Sequence, residues 1–279
     1  MSSIIAFCGS DQGETGQTLS SIAVATMMAI DHKIKILHIS TGFRDRTALR
    51  CFWEENENKP IMFERNSISG IDNGIEGLVK LLQSNRTSNN VVADYTKVVF
   101  RDRLDFLLPP STNKIEEYNQ LAQYYPAIAL TAVKNYDLVF IDIDKKMTPE
   151  LQRKILEVSN VIVLTMKQSG DMIPNITEVR KNDESFNKDN VVLMIGKYDK
   201  FSKFNVANVT RELKEKRKVC AISYNTLFFD ASTEGKVADF FLNNRTISDK
   251  TDRNFSFMDE TKRTCDEINY KIQELKMRL

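Results

Sequence analysis

The chain has 279 residues, 42% of them hydrophobic, enough to bury one large core or two smaller ones. Its formal charge of +1 gives no global attraction to nucleic acid or to an anionic membrane. Cys8, Cys51, Cys220 and Cys265 stand far apart without a CxxC pair, so neither a zinc site nor a disulfide framework is indicated. No apolar stretch approaches membrane-spanning length, and the run Ile4–Cys8 is too short for a signal peptide and lacks a basic segment before it. The expectation is a cytoplasmic protein.

The first element is a short apolar strand, Ser3–Cys8, that runs into the Gly/polar segment Gly9-Ser10-Asp11-Gln12-Gly13-Glu14-Thr15-Gly16-Gln17-Thr18. A helical pattern follows over Gln17–Asp31. This strand–loop–helix layout is what a phosphate-binding loop needs, because backbone N–H groups and the helix N-terminus cradle phosphate oxygens. The consensus G-x-x-x-x-G-K-[ST] asks for Gly at position 11 and Lys at 17, where this chain carries Asp11 and Gln17. Gly16 and Thr18 fit it.

Further strands are expected at Lys35–Ser40, Leu104–Leu108, Leu138–Asp142, Val161–Thr165, Val191–Ile195 and Val219–Ile222. Most are short, continuous and rich in β-branched residues, as strands covered on both faces should be. Helical patterns lie between them at Gly74–Gln83, Ile115–Lys134, Pro149–Ser159, Ile173–Lys181, Val206–Lys216 and Lys236–Leu242. The alternation predicts an α/β fold, a doubly wound and mainly parallel sheet with helices on both faces. Its ligand crevice belongs at the carboxyl ends of the strands, where the loop after Cys8 sits. Residues 56–103 are the least regular part, with a Ser/Asn-rich stretch over 84–90, and read as a surface excursion. The expected division is an α/β domain over 1–245, then a linker and amphipathic helix over 246–279. In that tail Cys265, Ile268, Ile272, Leu275 and Leu279 form a narrow apolar stripe, expected to dock on the domain, with a coiled-coil contact to another chain and then an in-plane membrane helix as the alternatives.

A second motif is Tyr136-Asp137-Leu138-Val139-Phe140-Ile141-Asp142-Ile143-Asp144. An apolar strand ending in Asp is the arrangement in which a carboxylate holds Mg²⁺ through water, beside the hydroxyl of a phosphate loop. Strands of α/β proteins also end in Asp for capping alone. Other residues take structural readings. His32 and His38 have no companion nucleophile or ligand cluster. The basic residues from Lys197 to Lys218 are interleaved with Asp199, Glu212 and Glu215, which favours a solvated surface over a nucleic-acid patch. Trp53, with Phe52 and Phe63, is expected in a core or partner contact.

The order of these pieces resembles the ParA/MinD group of P-loop ATPases, whose loop reads K-G-G-x-G-K-[ST]. That loop falls on Gln12-Gly13-Glu14-Thr15-Gly16-Gln17-Thr18, so glutamine stands at both lysine positions. The resemblance also implies an Asp-x-Asp pair after the second strand, where this chain has Ile39-Ser40-Thr41-Gly42. The segments Val191–Phe204 and Ile222–Phe241 resemble the "vvlNryd…sky" and "iPyN…egkvadf" endings of the TadZ/CpaE-like branch, proteins thought to place pilus or secretion machinery at a cell site. Gly196 replaces the Asn of the first segment, and Ser223 the Pro of the second.

On this resemblance Gly13, Gly16, Gln17 and Thr18 form a vestigial phosphate loop, and Thr18 and Asp142 would hold a metal only together with a Mg-nucleotide. The expected protein is a pseudo-ATPase, with no catalytic residue and no cofactor bound tightly, ATP/Mg at most weakly. It would act as a scaffold or localisation factor for a pilus, secretion or conjugation apparatus, through protein partners, either as a monomer or as a homodimer. Recruitment to the inner membrane face or a cell pole, with peripheral contact only, fits that role. A weak ATP-binding dimerisation switch, with charge from Lys145, Lys146 or Lys167, and a DNA-associated partition-like protein are the alternatives.

Overall fold

The computed structural model describes residues 2–11, 13–53, 74–84 and 91–278. Among these residues eight strands form one sheet: β1 (Ser3–Gly9), β2 (Ile36–Ser40), β3 (Lys97–Phe100), β4 (Leu104–Leu107), β5 (Leu138–Asp142), β6 (Val161–Lys167), β7 (Val191–Tyr198) and β8 (Cys220–Ser223), in the spatial order β3-β4-β2-β5-β1-β6-β7-β8. Every pairing is parallel except β3 with β4, which is antiparallel and closes one edge.

Continuous apolar strands are required because both faces are covered. Along β1, Ile4, Ala6 and Cys8 point into one core and Ile5 and Phe7 into the other; β5, β6 and β7 divide in the same way. The first core packs under α3 (Ile75–Gln83), α4 (Ile115–Ala122), α5 (Tyr125–Ala132), α6 (Pro149–Val158), α7 (Met172–Asn182) and α8 (Val206–Glu212). The second lies under α1 (Gln17–Asp31), α2 (Thr47–Phe52), α9 (Thr226–Thr233), α10 (Val237–Asn244) and α11 (Phe255–Met277). All four cysteines are buried free thiols.

Several elements differ from the sequence expectation. The 56–103 excursion contributes α3 to a core and β3 to the sheet, although residues 54–73 and 85–90, with Phe63, lie outside the described residues. The expected helix Ile115–Lys134 is two helices, because Pro126 starts a new one within the first turn of α5 and interrupts the ladder of the first. Two short helices, α2 and α9, were not foreseen. Trp53 and Phe52 pack against Phe106, with the Lys97 ammonium 4.3 Å from the Trp53 ring centre.

The terminal helix α11 begins at Phe255 and lies against α1 and β8. Its stripe Cys265, Ile268 and Ile272 is buried, joined by Phe257 and Met258, and Leu275 packs beside it, while Leu279 lies outside the described residues. Polar contacts reinforce the seat. The Ser223 N–H and hydroxyl both donate to the Glu260 carboxylate, and Arg217 is paired with Glu267. Asn225, from the "iPyN" segment, caps α9 by accepting from Phe228 N–H at 2.8 Å and donates to Asn254 at 2.9 Å.

Candidate functional site at the carboxyl ends of the strands

A cleft of about 460 Å³ opens where β1, β2 and β5 end, with α9 contributing Phe229, Ser232 and Thr233 to its wall. Gly13, Gly16, Gln17, Thr18 and Asp142 all line it, so the structure brings these five residues into one cleft. The other lysine position, Gln12, is outside the described residues.

Gly16 immediately precedes α1 and takes φ 79°, a left-handed conformation that costs glycine nothing. The loop it ends is pressed onto β7. A Cβ on Gly196 would stand 2.1 Å from the Thr15 carbonyl oxygen, so only glycine lets the strand and loop approach this closely. A Cβ on Gly16 would stand 3.1 Å from Cγ of Lys197, and the Lys197 ammonium pairs with Glu14 at 2.7 Å. That pair holds the Glu14 carboxyl below its ordinary range. Within the loop, the Gly13 N–H donates to the Asp11 carboxylate at 2.6 Å.

The Gln17 side chain is half-buried and turned beneath the loop. Its amide nitrogen lies 2.7 Å from Asp142 Oδ1, 2.8 Å from the Ile143 carbonyl and 3.0 Å from the Phe7 carbonyl. One NH₂ group has two hydrogens, so these three acceptors share it. The amide therefore cross-links the ends of β1 and β5. Asp142 is buried at 5% exposure. Burial pushes its carboxyl up to about 6 against the pull of hydrogen bonds from Thr18 and Gln17, and the neighbouring Asp45 and Asp144 add to the rise.

Where the resemblance placed an Asp-x-Asp pair, Thr41 serves as a clasp. Its hydroxyl donates to the Asp142 carbonyl and accepts from Asp144 N–H, both at 2.8 Å, while Tyr118 donates to its carbonyl. Sequence reasoning missed Asp45. It lies three residues past Gly42, folds back so that a Cβ on Gly42 would meet its Cβ at 2.6 Å, and lines the cleft. Asp144 also lines it and accepts from the N–H groups of Phe43 and Lys146. Among the described residues, five carboxylates (Asp11, Glu14, Asp45, Asp142, Asp144) thus face three cations, Arg50, Lys145 and Lys197. Of the lysines considered as substitutes, Lys145 lines the cleft, while the Lys146 ammonium reaches the Phe43 carbonyl at 3.4 Å and Lys167 ends β6.

Among the described residues no group of three or more His, Cys, Asp or Glu side chains is arranged to hold a metal, and no helix is long and apolar enough to cross a membrane.

No family model matches this chain, and no curated protein matches it by sequence. Solved structures do. A ParA family ATPase from Chlorobium tepidum superposes with a TM-score of 0.66 at 13% identity, over 93% of this chain and 97% of that one. The septum site-determining protein MinD from Pyrococcus horikoshii, complexed with Mg-ADP, gives 0.64 at 12% identity over 97% and 99%. The MinC:MinD cell division complex of Aquifex aeolicus gives 0.60 at 14% identity over 95% and 96%. With its mostly parallel eight-stranded sheet, flanking helices and helical C-terminus, this chain has the fold of the ParA/MinD-type P-loop ATPases.

Proposed function

We propose that this chain is a catalytically degenerate ParA/MinD-like protein, a scaffold or localisation factor that works through protein–protein contacts. One observation carries the reading: the side chain in the place of the P-loop lysine is a neutral amide committed to Asp142 and two carbonyl groups. A lysine there neutralises phosphate charge in both the ground and transition states, and phosphoryl transfer depends almost entirely on such positioned charge. Losing one preorganised donor costs on the order of 10²–10³ in rate.

A Mg-nucleotide, which the solved Pyrococcus MinD carries, fits the residues present poorly. The Gly13 N–H that could cradle a phosphate oxygen is occupied by Asp11. The Lys197 ammonium is committed to Glu14, and the lining carboxylates outnumber the cations. Fixed negative charge at this range repels a triphosphate unless a cation bridges them. Gly196 offers no side chain to read a base, and the loop fills the space one would need.

The apparatus served is a pilus, secretion or conjugation machine, on the strength of the TadZ/CpaE-like segments Val191–Phe204 and Ile222–Phe241. Association with a protein partner has a precedent in the MinC:MinD complex. A weak ATP-dependent dimerisation switch is the second reading, favoured by the retained contact between Thr18 and Asp142. The partition-like reading fares worse: Lys197 and the Lys214–Lys218 segment stand at opposite ends of β7 and do not make one basic face.

The test is light scattering with and without Mg-ATP, beside the cellular position of a fluorescent fusion and its Thr18→Ala variant. A scaffold keeps one mass and one position throughout. A nucleotide-driven change in mass, or dispersal of the Thr18→Ala fusion, contradicts the proposal and favours the switch.

A further inference from the structure

A second cleft, of about 500 Å³, lies at the other end of the sheet, against the first residues of β7. It is walled by the turn before β7, the segment Lys214–Val219 before β8, and the last turns of α11. From Val192 here to Lys197 at the first cleft is about 16 Å along the strand. The two sites are therefore separate.

Its charge is distinctive. Among the described residues, eight cationic side chains line it against four carboxylates, a local excess of four in a chain whose formal total is +1, so the remaining residues sum to −3. Arg180, Arg217, Lys271 and Arg278 each hold one of those carboxylates, through pairs with Glu215, Glu267, Glu274 and Asp189. The acids are thereby consumed in fixing the arginines and the largely buried Lys271. Lys188, Lys214, Lys216 and Lys218 are exposed and make no ion pair among the described residues. Arg180 lines the cleft as well, and its Nε–H is buried without an acceptor. Lys214 sits at φ 55° just past the end of α8, a left-handed position that glycine or asparagine fills at lower cost.

We propose that this cleft binds a compact polyanion, a small molecule carrying two or more phosphate groups. Its volume is that of a small-ligand site. Lysine ammonium groups on flexible stems converge on phosphate as point charges, and the paired arginines supply a positioned rim. A cleft of about 500 Å³ suits a compact anion better than a flat lipid surface or a duplex. The inference is independent of the reading of the first cleft.

The test is calorimetric titration with sodium tripolyphosphate in low-salt buffer without Mg²⁺, on the full chain. Three proteins are compared: wild type, the combined variant Lys214→Gln, Lys216→Gln, Lys218→Gln, and Thr18→Ala in the other cleft. All three lysines are exposed, so the combined variant keeps the fold, which a thermal melt verifies. The expected result is saturable 1:1 binding, weakened about tenfold or more in the lysine variant and by added salt, and unchanged in Thr18→Ala. Absence of saturable heat, wild-type affinity in the lysine variant, or loss of binding in Thr18→Ala overturns the proposal. So does capture by duplex oligonucleotide or anionic vesicles without any response to tripolyphosphate.

Discussion

Replacing Gln17 by Leu isolates the amide that occupies the lysine position. The substitution keeps an apolar stem near the loop and removes the donor facing Asp142 Oδ1 and the carbonyls of Ile143 and Phe7. A hydrogen bond to an ionised group contributes about 1.5–3 kcal/mol, one to a neutral group about 1. Asp142 titrates at about 6 in the folded chain, so it is ionised at pH 8 and mostly protonated at pH 5. The variant should lose about 2 kcal/mol at pH 8 and about 1 at pH 5. By linkage, that difference corresponds to a further rise of about one unit in the Asp142 pKa. Chemical denaturation of both proteins at the two pH values reads it directly; in thermal melts each kcal/mol corresponds to about 2–4 °C for chains near this size. An equal loss at pH 5 and pH 8 would show that Gln17 is not coupled to the Asp142 charge and would refute the reasoning.

The remaining predictions concern the same end of the sheet and the seat of α11. The raised Asp142 pKa gives stability that is present below its unfolded value near 4 and is lost as pH rises through about 6, while His38, pushed by burial down to about 3, loses stability as pH falls below about 6.5. The two oppose each other between pH 4 and 6, so Asp142→Asn should make the acid loss of stability steeper in denaturation curves; an unchanged slope contradicts the assignment. Gly196→Ala places a methyl 2.1 Å from the Thr15 carbonyl and should cost about 1–3 kcal/mol or shift the loop, read by melting temperature and by amide exchange at residues 13–16. Lys197→Met, which removes an exposed ion pair, should change stability by less than about 1 kcal/mol in the same denaturation assay. Ser223→Ala removes one of two donors to the half-buried Glu260 and should cost about 1–2 kcal/mol, with faster amide exchange along α11 than in wild type.

The strands were legible because a sheet covered on both faces needs apolar side chains at every position, and the runs Ile4–Cys8 or Val161–Met166 have no other economical reading. Strand β3 was not legible: it is a four-residue antiparallel edge, Lys97–Phe100, with half-exposed side chains and a register shift. Six-residue α2 is too short to display a helical period, and α9 is capped by Asn225, a role hidden inside a segment that carries a family resemblance. In the first cleft, the absence of lysine at position 17 was plain from sequence, as was Asp142 at a strand end. The direction of the Gln17 amide was not, because its three acceptors lie on two strands more than 100 residues apart in sequence. Asp45 escaped notice because only the reversal at Gly42 returns it to the site.

The central claim is that the cleft beside Gln17 has the fold of a nucleotide site without its charge. Calorimetric titration of the purified protein with Mg-ATP, in parallel with Gln17→Lys, tests it most directly. The account predicts no measurable heat for the wild type and recovered binding in the variant, whose new ammonium would stand between Asp142 and the phosphates. Micromolar binding by the wild type would contradict it and make the nucleotide switch the leading reading.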